Sequence, residues 1–232
     1  MRTRKFHLSS LGRCGVCTML LATPFLLASS AYASLISIGV QQAGFNGGAI
    51  TTVATGSGNV SVVNLSYGTF GVLNIDAQDF SVLGSPSILN SNSLDISTST
   101  AGVLTIWITT QGVPFAGVLE DFTSAFAVNS LNGSIVTVNE ATYFSPTNAL
   151  YGGTLLHAAS FNSIGSAGPF TTPGAPSGTY SVTEQYVIFD VGGGTGNDNI
   201  TIDLSGTPVV PEPTSLVLLG AGVLGIAWKL RR

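Results

Sequence analysis

Apolar and polar residues alternate through most of this 232-residue chain, in short stretches broken by turn residues. Leu104, Ile106 and Ile108 interleave with Thr105, Trp107 and Thr109, and Ile200, Ile202 and Leu204 with Thr201, Asp203 and Ser205. A period of two sends alternate side chains to opposite faces, so these segments predict half-buried β-strands. The same pattern predicts strands at 35–41, 49–54, 60–67, 69–75, 80–83, 94–97, 103–110, 122–128, 134–139, 154–161, 180–191 and 199–204. Clusters such as Gly44-Phe45-Asn46-Gly47-Gly48, Asn132-Gly133 and Thr172-Pro173-Gly174-Ala175-Pro176 punctuate them. Strong helix formers are sparse, with no Lys, Arg or Met between 34 and 207 and Glu at 120, 140 and 184 alone. The expected fold is all-β: a single antiparallel β-sandwich spanning 34–207, with jelly-roll-like and barrel-like variants open. No solenoid period is visible.

Both ends break this pattern. Arg2, Arg4, Lys5 and Arg13 precede an apolar run from Val16 to Leu27, and Ala31-Tyr32-Ala33 follows. That order reads as a secretory signal peptide over 1–33, with small residues at Ala31 and Ala33 placing the cut before Ser34. Export through Sec and cleavage by signal peptidase are the expected route. At the other end, Pro208-Val209-Val210-Pro211-Glu212-Pro213 favours an extended segment. An uncharged run from Thr214 to Trp228 follows, ending in Lys229, Arg231 and Arg232. A transmembrane helix is expected over 214–230; its uncharged part is about 22 Å long, which the basic residues extend by snorkelling. Basic residues stay cytoplasmic, so the body faces outward.

The charge distribution sharpens this. Every Lys and Arg lies outside 34–207, which carries ten of the eleven carboxylates and a formal charge of −10. Nucleic-acid binding through a basic surface is excluded. Cys14 and Cys17 lie within the signal segment, so a disulfide scaffold and a cysteine nucleophile are excluded too.

The last 25 residues carry a resemblance. Val210-Pro211-Glu212-Pro213, an uncharged Leu/Gly/Ala/Val helix and a short Arg-rich end resemble the PEP-CTERM sorting signal. The resemblance implies that an exosortase-like transpeptidase processes an inner-membrane-anchored precursor, with Pro211, Glu212 and Pro213 as recognition residues. The product then resides at the cell surface or outside it. Asn46-Gly47-Gly48-Ala49-Ile50-Thr51-Thr52-Val53 and Ser91-Asn92-Ser93-Leu94-Asp95 more loosely resemble the β-rich exported domains that precede such tails. The expected role is structural or adhesive, within or near a polysaccharide matrix.

Candidate chemistry in the body is thin. Gly193-Gly194-Thr195-Gly196-Asn197-Asp198-Asn199-Ile200-Thr201 matches one unit of a calcium-binding β-roll repeat, which makes Asp198 a candidate Ca²⁺ ligand. Its neighbours do not repeat it, and a connecting loop is the expectation. A calcium-assisted carbohydrate-binding module is therefore one alternative role. His157 is the single histidine after residue 33, and no G-x-S-x-G accompanies it, so a structural histidine is expected. Glu120-Asp121, Glu140, Glu184, Asp190 and Asp203 are scattered and have no Lys or Arg to pair with. Surface placement is expected for most, and no glycosidase dyad. A secreted hydrolase is the least favoured alternative; the expectation is a protein that is not an enzyme. Trp107, Tyr67, Tyr143, Tyr151, Tyr180 and Tyr186 are expected as core or cross-strand aromatics, with a sugar-stacking platform as the other option.

Overall fold

Alternation becomes strand almost throughout. A computed structural model describes residues 34–79, 87–98, 100–115, 120–131, 133–192 and 199–208. Its strands are β1 (Leu35–Gln42), β2 (Thr51–Gly56), β3 (Asn59–Tyr67), β4 (Phe70–Asp79), β5 (Ser87–Thr98) and β6 (Gly102–Val113). They continue with β7 (Glu120–Ser130), β8 (Ile135–Ser145), β9 (Thr154–Phe161), β10 (Gly165–Gly174), β11 (Tyr180–Asp190) and β12 (Asn199–Pro208). One 3-10 turn, Asn46–Gly48, is the helical element among the described residues. The expected stretch at 80–83 lies outside them.

Two six-stranded sheets form, both antiparallel throughout. The first runs β2-β1-β6-β11-β8-β9 and the second β10-β7-β12-β5-β4-β3. Each half of the chain gives three strands to each sheet, and the halves meet where β6 pairs with β11 and β5 with β12. One core lies between the sheets. Ile36, Ile38, Val40, Leu104, Ile106 and Ile108 face it from the first, and Leu73, Ile75, Leu89, Ile96, Phe122 and Phe126 from the second. Phe122, Phe144 and Tyr180 form an aromatic knot there, with ring centroids 5.0–5.7 Å apart. Their edge-to-face and tilted geometry suits the ring quadrupoles.

Strand β10 departs from the sequence expectation, which places 172–176 in a turn. Its Pro169 and Pro173 would break a central strand, but β10 is the edge of its sheet, where a missing N–H costs no ladder bond on the open side. The register also slips between Ala167 and Phe170, which accommodates Gly168-Pro169.

The carboxylates supply a second correction. Glu140 and Glu184 are fully buried and Asp190 is nearly so, although no Lys or Arg is at hand. Their phase decides it: Glu140 sits opposite Tyr186 and Glu184 opposite Thr142, all on inward-facing positions of β8 and β11. Hydroxyls replace the absent cations. Ser91 Oγ donates to Glu184 Oε2 at 2.6 Å and is bonded to the Tyr186 hydroxyl, while Ser124 and Thr142 bond at 2.6 Å. Neither carboxyl oxygen of Glu140 has a hydrogen-bond partner, and burial pushes its pKa up to about 8. Glu140 is therefore protonated at neutral pH, because burial penalises the ionised form.

Candidate functional site

On β6 the alternation that sends Ile106 and Ile108 inward turns Trp107 to the outer face of the first sheet. Trp107 stands opposite Gly39 on β1 and Gln185 on β11. Tyr143 of β8 stands opposite Thr183, one strand beyond. The loop between β8 and β9, Pro146-Thr147-Asn148-Ala149-Leu150-Tyr151-Gly152-Gly153, supplies the third ring. It folds back over the sheet instead of leaving it. Asn148 Oδ1 accepts from Gly112 N at 2.7 Å, Gln111 Nε2 donates to Asn148 O at 2.8 Å, and Ser181 Oγ donates to Ala149 O at 2.6 Å. These bonds carry the loop across β11 and β6, and Tyr151 reaches β2, where its hydroxyl bonds Thr52 Oγ1 at 2.7 Å.

The result is a half-buried trio. Trp107 lies 6.1 Å from Tyr143 and 6.4 Å from Tyr151 by ring centroid, tilted by 40° and 48°. Gly39 makes room for it: a β-carbon there would lie 2.6 Å from Tyr151 Cζ. Two glutamines fix the rings' polar ends. Trp107 Nε1 donates to Gln41 Oε1 at 3.3 Å, and the Tyr143 hydroxyl donates to Gln185 Oε1 at 2.8 Å. Desolvation raises the pKa of both tyrosines, partly offset at Tyr151 by the Thr52 bond, so each phenol stays neutral. Rings and amides without formal charge suit a neutral ligand that has both an apolar face and hydroxyls.

The six aromatics considered at the sequence level thus divide. Tyr180 and Tyr186 are core, as expected, and Tyr67 is buried with its ring 4.8 Å from Phe45 in a T-shaped contact. Trp107, Tyr143 and Tyr151 instead cluster half-buried on the outer face of the first sheet. Period-two patterning could not separate the groups, because an outward aromatic covered by a returning loop looks like any other strand residue. His157 is half-buried and stacks on Phe170 at 4.8 Å, which ties edge strand β9 to edge strand β10. Asp121 is exposed. Among the described residues no three of His, Cys, Asp or Glu are grouped to hold a metal, and no helix is long and apolar enough to cross a membrane. Ala31, Ala33, Asp198, Pro211, Glu212, Pro213, Lys229, Arg231, Arg232 and the helix expected at 214–230 lie outside the described residues.

One comparison bears on the tail. Residues 209–232 match the PEP-CTERM protein-sorting motif. The chain carries a PEP-CTERM sorting motif at these residues. No curated protein matches it. The PEP-CTERM match begins directly after β12 ends at Pro208 and contains Pro211-Glu212-Pro213. It implies an exported, membrane-anchored precursor that an exosortase processes.

Proposed function

We propose that the sandwich is a non-catalytic, adhesive module that contacts exopolysaccharide at the cell surface through Trp107, Tyr143 and Tyr151. The observation that carries this reading is the trio itself, held on an open sheet face by the β8–β9 loop and flanked by Gln41 and Gln185. The C–H face of a pyranose is weakly positive and settles on the negative face of an aromatic ring, while amides answer its hydroxyls. The formal charge of −10 between 34 and 207 favours neutral over uronic-acid polysaccharide, since like charges repel the latter. A binding role also accords with the interior carboxylates. Glycoside hydrolysis needs two carboxyl groups at the scissile bond, and Glu140 and Glu184 are sealed from solvent.

Affinity electrophoresis through gels cast with neutral glucans, mannans and the producer's own polysaccharide tests this. Retardation by a neutral polymer is expected, and Trp107→Ala should weaken binding about tenfold or more, in line with loss of an aromatic anchor. Equal mobility of wild type and Trp107→Ala in a polymer that retards both would refute the platform. Repeating the gels with calcium and with Asp198→Ala tests whether the 193–201 loop contributes.

A further inference from the structure

Ser34 begins the exported chain if the signal is cut after Ala33, and in the full-length chain its side chain is tied into the fold. Its hydroxyl donates to Asp79 Oδ2, and the same oxygen accepts from Thr110 Oγ1 at 2.9 Å. Asp79 is the last residue of β4 in the second sheet, whereas Thr110 lies on β6 and Ser34 directly precedes β1, both in the first. The carboxylate thus bridges the two layers. Gly112, also beside Ser34, and Thr110 are uncharged, and Asp79 brings a carboxylate to this spot.

Three covalent bonds separate the Ser34 nitrogen from its hydroxyl, which puts that nitrogen within about 6 Å of the carboxylate. In the precursor it is a neutral amide. Hydrolysis of the Ala33–Ser34 bond consumes one water, leaves Ala33 as a carboxylate and makes the Ser34 nitrogen an α-ammonium. With no Lys or Arg from 34 to 207, it is the one strongly basic group of that stretch. We propose that signal cleavage completes a clasp: the new ammonium of Ser34 pairs with Asp79 and fastens β1 of one sheet to β4 of the other. The inference rests on cleavage before Ser34. A cut after Ala31 would leave a neutral amide beside Asp79 and no clasp.

Amine acetylation of the exported protein reads the clasp directly, with the N-terminal peptide quantified by mass spectrometry. An opposite charge within this range holds an ammonium protonated, and only the free base reacts. At pH 8 the wild-type α-amine should therefore react about fivefold more slowly than that of Asp79→Asn, because a smaller fraction of it is unprotonated. Thr110→Val loses the neighbouring hydrogen bond but keeps the charge, and should track wild type. Should Asp79→Asn fail to accumulate, the ratio of wild-type rates at pH 10 and pH 8 can be set against that of the free peptide 34–42. Reagent access cancels in this ratio and desolvation alone would shrink it, so a ratio several-fold larger for the protein reports the opposing charge. Equal wild-type and Asp79→Asn rates, or equal ratios, on a peptide that starts at Ser34 would overturn the clasp. A peptide starting elsewhere would overturn the cleavage site beneath it.

Discussion

Glu140 makes stability depend on pH in an unusual direction for a carboxylate. Its pKa is about 8 in the fold against about 4.5 in the open chain, so the native state holds a proton that the unfolded state has released. The stability this proton secures is fully present below pH 4.5 and is lost as pH rises towards 8, by up to about 1.4 kcal/mol per pH unit. Urea midpoints of wild type should fall across that window and level off above it, and Glu140→Gln should flatten the decline. A parallel decline in Glu140→Gln would assign it elsewhere. Gly39 governs the outer face at the same scale. Gly39→Ala places a methyl where Tyr151 lies, so the ring must leave Trp107. Polysaccharide retardation should drop, and the change in tryptophan emission on binding should shrink with it.

The β8–β9 loop is the element on which the platform depends. Asn148 holds it at φ 57°, a conformation asparagine tolerates, while its side chain accepts from Gly112 N. Asn148→Ala should cost about 1–3 kcal/mol by chemical denaturation, through an orphaned amide and backbone strain, and should loosen Tyr151. Period-two alternation made most strands legible, because inward and outward positions differ in polarity wherever one face packs on the core. It failed at β10, where Gly168, Pro169, Pro173 and Gly174 signal a turn unless the strand is known to be an edge. It failed again at Glu184, which meets the Ser91 hydroxyl arriving from β5, and at Glu140, which is buried without a hydrogen-bond partner and in protonated form. The return of Tyr151 across three strands was equally hidden, since it depends on distant groups such as Gly112, Thr52 and Gly39.

For the whole molecule, sorting and folding make separate demands. If Glu212 is the carboxylate an exosortase reads, Glu212→Ala should leave membrane insertion intact and block processing. Full-length protein would then accumulate in the membrane fraction on immunoblots; normal processing of Glu212→Ala would remove Glu212 from recognition. The tail was legible because its three unlike features are local and ordered, whereas the Trp107, Tyr143 and Tyr151 cluster is expressed only in tertiary geometry. Strand β12 adds a constraint of timing. It is the last strand and sits inside its sheet, bonded to β7 on one side and β5 on the other, and the sorting motif begins at the next residue. Until residue 208 has crossed the membrane, the second sheet is two separate pieces with a gap between them. Translocation therefore proceeds on an incompletely folded chain, and the final closure of the sheet happens with the anchor at the bilayer. If the anchor starts at Thr214 as the sequence predicts, residues 209–213 alone join the β-domain to it, and a sorting enzyme that reads Pro211-Glu212-Pro213 acts within a few residues of the closing strand.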